Sequence, residues 1–404
     1  MVDSGAGVDS GTTLGATATT PAVGEIVGPL PVGPIAHGGH CVARYQARVV
    51  FVRHALPGEE VLVRITDTSH ARYWLGDAVE IRTPAPERIP SACPVAGPGG
   101  CGGCDFAHVD PAFQRELKRR VVAEQLQRLA GIEWSGEVAE VAPTDHWRTR
   151  MRYRVSGGEL GQLAHHSHTV IPLPQVGCRI AAGPAPSAAE LGVADLADLA
   201  PDIEVRQIEA ASGRVVHTGA PAVDTVTETA AGIDFEVPTD GFWQIHPRSA
   251  DTLVAAVLAG LDPRAGERGF DLYCGVGLFA GALAARGVTM WGVESDKDAV
   301  SCARRNVRAA RFTSGRVDRV LSKLPHRTDL VVLDPPRSGA GKQVIQQVAA
   351  RTPRAIAYVA CDPAALARDL AYAAAAGYQP DSITAYDLFG WTHHVECVAI
   401  LHPA

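Results

Sequence analysis

The sequence predicts an α/β chain whose C-terminal part is a doubly wound, mostly parallel sheet. Three observations predict it. Short apolar runs recur at residues 268–274, 288–293, 330–333 and 355–360, the pattern of buried parallel strands. A glycine turn, Gly275-Val276-Gly277, follows the first run and opens an apolar helix from Leu278 to Ala285. Two later runs end in residues that carry chemistry. These are Asp334-Pro335-Pro336-Arg337 and Cys361-Asp362-Pro363, at the strand ends where open α/β sheets bind ligands.

The chain has 404 residues, of which 46% are hydrophobic, enough to fill the cores of two or three domains. No apolar run reaches membrane-spanning length, and the N-terminus lacks a basic head followed by an apolar stretch. The expectation is a soluble, cytoplasmic protein with no membrane partner. Residues 1–21 are rich in Gly, Ala, Ser and Thr and read as a disordered tail. The formal charge of −7 argues against a wholly basic nucleic-acid binder but allows a local basic groove. Nine cysteines in such a chain point to metal binding or catalysis rather than disulfides.

Residues 22–83 contain short β-like runs at Cys41–Ala43, Val49–Val52 and Val61–Ile65, with a Leu56-Pro57-Gly58-Glu59 turn before the last. This suits a small OB-like barrel, a fold that binds single-stranded nucleic acid in a groove. Residues 84–240 form a β-rich middle. Within it Cys93, Cys101 and Cys104 are separated by seven and then two residues, in a loop made pliable by Gly and Pro. Soft thiolates select zinc or an iron–sulfur cluster, and Cys178 is the best candidate for the missing fourth ligand. Arg148, Arg150, Arg152 and Arg154 recur every second residue, so in a strand they share one face and suit a phosphate track. A helix over Pro111–Ala130 carries a second basic patch of Arg115, Lys118, Arg119 and Arg120. His165-His166-Ser167-His168 reads as a surface or RNA-facing turn rather than a metal site.

Residues 241–404 hold the doubly wound sheet. After the glycine turn, the strand Val288–Val293 ends in Glu294, placed to accept hydrogen bonds from ribose hydroxyls. Gly275-x-Gly277-x-x-Ala280 also satisfies a dinucleotide fingerprint, so nicotinamide and S-adenosylmethionine remain alternatives at this point. The stiff Asp334-Pro335-Pro336-Arg337 loop favours the second, because it can hold a flat base beside a methyl donor and a dehydrogenase has no use for it. Cys361 follows the apolar strand Ala355–Ala360, with Asp362 as helix N-cap and Pro363 as first helical residue. A helix N-terminus favours negative charge, so Cys361 is expected to be a thiolate.

Together these motifs resemble the RNA uracil-C5 methyltransferase family, in the branch with an N-terminal TRAM domain and an iron–sulfur cluster. Also carrying the resemblance are Asp271-Leu272-Tyr273-Cys274, Leu366-Ala367-Arg368-Asp369 and His394-Val395-Glu396. The resemblance spans roughly residues 22–402. It implies that Cys361 is the nucleophile and Glu396 the base. It further implies an S-adenosylmethionine site containing Gln244, Tyr273, Gly275, Gly277, Glu294, Asp318 and Asp334, with Glu294 at the ribose and Asp318 near the adenine. Cys93, Cys101, Cys104 and Cys178 would hold a 4Fe–4S cluster. The implied substrate is RNA, 23S ribosomal RNA first, acted on by a monomer. The alternatives are a transfer-RNA uridine methyltransferase and a non-catalytic RNA-binding iron–sulfur protein. Three positions depart from the family pattern: Asp362 where Asn is common, His246 where Asn is common, and the long gap between Cys93 and Cys101.

The chemistry explains why both catalytic groups are needed. Uracil C5 is too poor a nucleophile to attack a sulfonium methyl unaided. A thiolate adding to C6 makes C5 electron-rich, and a base must later remove the C5 proton so that the thiolate can leave.

Overall fold

A computed structural model describes residues 20–221 and 223–404; of the expected tail, residues 1–19 lie outside the described residues. The first unit is a five-stranded sheet of β1 (Ile26–Pro31), β2 (Cys41–Tyr45), β3 (Arg48–Arg53), β4 (Glu60–Asp67) and β5 (Tyr73–Thr83), in the order β1-β4-β5-β3-β2. The expected barrel is a half-barrel, because its edge strands β1 and β2 do not pair as strands. The chain after β1 laces the gap instead: Gly33 N donates to Val42 O at 2.7 Å and Val42 N to Pro34 O at 2.9 Å. The turn at His37-Gly38-Gly39 projects from this lacing. Val50, Val52, Val61, Val63 and Ile65 fill the half-barrel, and the same core continues into Phe106, Val109, Leu117 and Val121.

The last two of these lie on α1 (Pro111–Ala130), the helix that the sequence predicts at the same bounds. Asp110 caps it by accepting from Ala112 N at 2.9 Å, and Gly131 ends it in the left-handed conformation. The basic patch expected here is not free. Lys118 is fully buried against Asp387, Arg115 pairs with Glu140, and Arg119 and Arg120 pair with Glu116.

The middle sheet comprises β7 (Arg150–Ser156), β8 (Glu159–Leu163), β9 (Val170–Pro172), β10 (Glu204–Ala210) and β11 (Gly213–Thr218), after β6 (Val138–Glu140). Its order is β11-β10-β7-β8-β9 and it is antiparallel throughout. A hairpin of β12 (Thr225–Ala230) and β13 (Ile233–Pro238) then turns Phe235 and Val237 into the core of the next unit.

The C-terminal unit runs α2 (Ser249–Leu261), β14 (Arg268–Leu272), α3 (Leu278–Ala284), β15 (Thr289–Glu294), α4 (Lys297–Asn306), β16 (Arg311–Ser314), α5 (Val317–Val320) and β17 (Leu330–Leu333). It ends with α6 (Lys342–Ala349), β18 (Ala355–Ala360), α7 (Pro363–Ala375), β19 (Tyr378–Asp387) and β20 (Glu396–Pro403). The sheet order is β16-β15-β14-β17-β18-β20-β19-β6. Strands β14 to β18 are parallel, and β20 is antiparallel to both neighbours. Every residue of β17 and β18 is buried, as the apolar runs require. The order reverses between β14 and β17, and a crevice opens there at the strand ends. β6, from before residue 240, joins this sheet beside β19, and α1 packs on α7.

Candidate active site

That crevice is a cavity of about 1000 Å³. Gln244, Tyr273, Gly275, Glu294, Asp318, Asp334, Cys361 and Glu396 all line it, so the fold brings together residues spread over more than a hundred positions. Gly277 is the exception. It caps α3 at φ +93°, with Phe312 and Val307 where a Cβ would point, so it shapes the turn rather than lining the cavity.

Two strands set Cys361 and Glu396 beside each other. The β18–β20 register pairs Ala360 with Cys397, so the next step out places Cys361 across from Glu396. Glu396 is 4% exposed, and burial, then the charge of Asp334, holds its carboxyl well above the usual range. Asp362 caps α7 by accepting from Ala365 N at 2.7 Å, as expected. The surroundings of Cys361 oppose the thiolate that the helix end favours. Burial first, then the charges of Glu396 and Asp334, pushes the Cys361 thiol up to about 12, against only Arg337 pulling it down. Desolvation and the carboxylates of Glu396, Asp334 and Asp362 act against the helix end.

The cofactor side is acidic and preorganised. Glu294 accepts from Gly275 N at 3.2 Å and from Ser295 Oγ and Asp296 N at 2.9 Å. Gln244 Oε1 accepts from Ser249 Oγ at 3.2 Å. Arg316 grips Asp318 through two bonds of 3.1 and 3.0 Å and lowers its carboxyl. Asp334 is pushed up to about 7 by burial and Glu294. Asp271, below the glycine turn, is likewise pushed up to about 7 by burial; its Oδ2 accepts from Ala280 N at 2.8 Å while its buried Oδ1 has no protein partner. A cavity of this size, with Glu294, Asp296, Asp318 and Asp334 in its lining, has room and carboxylates for a cationic sulfonium ligand with a ribose.

Asp369 on α7, which carried no role in the sequence reading, braces the site loop. It is 3% exposed and accepts from Ala340 N at 2.6 Å, Gly341 N at 3.1 Å and Tyr358 Oη at 2.5 Å, pinning the loop that carries Asp334 and Arg337. The available signal was an acid on the apolar side of a helix, between Leu366 and Leu370. Two of the departures from family pattern have structural partners: Asp362 Oδ2 lies 3.0 Å from His37 Nε2, and buried His246 donates through Nε2 to Pro143 O at 3.0 Å while its Nδ1 accepts from Arg248 N.

Cys93, Cys101, Cys104 and Cys178 line one small cavity beside Arg148. Among the described residues no three His, Cys, Asp or Glu side chains are grouped as the ligands of one metal ion. Burial raises Cys101 and Cys178, while backbone N–H groups of Gly103 and of Ile180 and Ala181 oppose that rise.

The arginine stripe is split. Arg150 pairs with Glu228 at 3.1 Å and Arg154 with Glu204 at 3.1 Å. Arg148 precedes the strand, lies between the cysteine cavity and the large cavity, and lines both. Only Arg152 of the four is exposed.

The family model described as tRNA (Uracil-5-)-methyltransferase matches residues 321–403, one described as Methyltransferase small domain matches 248–357, and the TRAM domain matches 30–79. An RNA methyltransferase of uncharacterized function from Streptomyces avermitilis is 45% identical, over 92% of this chain and 97% of that protein. The 23S rRNA (uracil(1939)-C(5))-methyltransferase of Shewanella sp. is 29% identical, over 91% of this chain and 94% of that protein. Among solved structures, the Pyrococcus abyssi tRNA (uracil-54, C5)-methyltransferase in complex with S-adenosyl-L-homocysteine aligns with a TM-score of 0.70 at 22% identity, over 92% of this chain and 99% of that one. At that identity the likeness is one of fold. No helix among the described residues is long and apolar enough to cross a membrane. With a TRAM domain at one end, a uracil-methylating domain at the other and relatives matched along nearly their whole length, this chain belongs to the RNA uracil-5-methyltransferase family and is an S-adenosylmethionine-dependent enzyme.

Proposed function

We propose that this enzyme methylates C5 of a uridine in 23S ribosomal RNA through a covalent bond between Cys361 Sγ and uracil C6. The observation that carries the reading is the Cys361–Glu396 pairing at one end of the β18–β20 ladder, inside the cavity that Gln244, Glu294 and Asp334 also line. When bound, the cofactor supplies an electrophilic methyl on a positive sulfonium, a charge that favours the ionised forms of the groups around it. Cys361 loses its proton, for which Asp334 is the acceptor held near neutrality, and Sγ adds to C6. C5, made electron-rich by the adduct, would take the methyl group as its bond to the sulfonium sulfur breaks, leaving the cofactor as a neutral thioether. Glu396, whose burial raises its proton affinity, removes the C5 proton, and the C6–Sγ bond breaks to restore the thiolate and the double bond. Phe242, 72% exposed at the cavity mouth, is placed to stack on a base turned out of the RNA.

The ribosomal reading rests on the 29% identical relative; the transfer-RNA reading rests on the name of the family model over residues 321–403. Mapping 5-methyluridine by mass in both RNA classes, with and without the gene, decides between them. Loss of the mark from 23S ribosomal RNA is expected. Loss from transfer RNA alone overturns the ribosomal assignment. The covalent step is tested with 5-fluorouridine RNA, which should trap wild-type protein. Glu396→Gln should accumulate adduct with ordinary RNA, and Cys361→Ala should form none. Normal turnover by Cys361→Ala excludes the mechanism.

The four cysteines would hold a 4Fe–4S cluster. Their soft thiolates, facing one cavity, are ligands that such a cluster takes. Arg148 behind them would offset the cluster's negative charge. As an RNA-modifying enzyme it would act in the cytoplasm as a monomer.

A further inference from the structure

Cys361, Arg337 and His394 line not one cavity but two. We propose that the second cavity receives one base of a nucleotide flanking the target uridine, so that the N-terminal half-barrel forms part of the active site. This rests on the uridine-methylating reading above.

The second cavity measures about 170 Å³. A cavity of about 150 Å³ holds a benzene ring. One flat heterocycle therefore fits, and a whole nucleotide does not. Its walls have the mixed character that a base requires. Phe106, Leu117 and Val121 give it apolar surface, and Arg337, His37 and His394 give it a polar edge. Lys118 also reaches the wall, but Asp387 at 2.6 Å already neutralises it. Among the described residues, the side-chain hydrogen bond of Arg337 is to His394 Nε2 at 3.3 Å. Burial, then the charges of His393 and Arg337, lowers His394 to about 3, so it stays a neutral acceptor. The remaining guanidinium N–H groups of Arg337 are left for a ligand.

The cavity is built, not a gap between loosely joined parts. Its far wall is the His37-Gly38-Gly39 turn of the half-barrel. That turn is fixed by His37 to Asp362 at 3.0 Å. Asp105 makes a second tie, accepting from Arg53 at 2.9 Å and meeting His393 Nδ1 at 2.6 Å. Gly39, at φ +77°, lies so close to His393 that a Cβ would stand 2.7 Å from the His393 Cβ.

The occupant is not the target base. Glu396, Asp334 and Gln244 line only the large cavity, so the second one has the flank of the nucleophile but neither a base nor a methyl-donor site. A strand with its uridine in the large cavity carries its neighbours past the shared wall.

The test uses transcribed ribosomal and transfer RNA to find a fragment that the full-length enzyme methylates. That fragment is resynthesised with single abasic sites at the two positions on each side of the target. One abasic site should lower kcat/KM about tenfold, the lower end of what a single stacked base contributes. In Val121→Phe, which fills the cavity from α1, that same abasic site should cause no further loss, while S-adenosylmethionine affinity stays unchanged. A scan in which no flanking site costs more than twofold overturns the proposal without any variant. So does an equal cost in wild type and Val121→Phe. If no uridine accepts a methyl group at C5, the proposed function fails and this inference falls with it.

Discussion

Lys118 Nζ lies 2.6 Å from Asp387 Oδ1 with both groups buried, and it also donates to Phe389 O at 3.0 Å. One helix side chain thus anchors the segment that leads from β19 to His394 and Glu396. Removing one partner leaves an uncompensated buried charge, so Lys118→Ala should destabilise the protein by about 3–5 kcal/mol. The double change Lys118→Met with Asp387→Leu should recover most of that loss. Urea midpoints of the three proteins check both statements.

The Cys361 thiol, held near 12, should react slowly with iodoacetamide in the free enzyme. Only the thiolate reacts, and below the pKa its fraction rises tenfold per pH unit. The rate at the Cys361 peptide, read by mass spectrometry, should therefore climb steadily from pH 7 to pH 10. A plateau below pH 8 would mean that the helix end had won over the carboxylates.

Asp271 and Asp334 both bind protons more tightly in the folded protein than the ordinary 3.8 of an unfolded chain, at about 7. Between these values the native state holds the extra protons, so stability falls as pH rises. The penalty is absent below about pH 4 and complete above about pH 7. Cofactor-free protein should lose thermal stability from pH 5 to pH 7, and Asp334→Asn should flatten part of that slope. Melting curves in matched buffers measure it.

Asp369→Ala should free the 334–341 loop from α7. Hydrogen bonds to a charged group contribute about 1.5–3 kcal/mol. The expected result is a KM for S-adenosylmethionine raised roughly tenfold or more. Asp369→Asn, which can still accept hydrogen bonds, should restore part of it. An unchanged KM would limit Asp369 to a structural role in α7.

The cysteine loops are tied to the catalytic cavity by backbone. Arg148 N donates to Ile180 O at 2.6 Å, and Thr149 N donates to Ile245 O at 2.8 Å, one residue after Gln244. Cys178→Ser should therefore weaken S-adenosylmethionine binding although Cys178 does not line that cavity. Calorimetry on the variant, alongside its iron content and visible spectrum, tests the link.

The sequence by itself determined four of the five strands of the parallel sheet, β16 excepted, with the glycine turn, the α1 boundaries and the position of Cys361 at a strand end. These follow from short-range patterns: apolar runs, capping residues and glycines read within a dozen positions. Glu396 was visible as an acid inside an apolar run. Only the tertiary structure decided the charge state and the free surface. Burial first, and then the carboxylates that β20 and the Asp334 loop bring to it, push the Cys361 thiol up. Arg150 is neutralised by Glu228, 78 residues away, and Lys118 by Asp387, 269 residues away. The turn at His37 reaches Asp362 across nearly the whole chain. Local periodicity states which face a side chain occupies. Coulomb and desolvation energies depend on what faces it, and that is set by contacts between segments far apart in the chain.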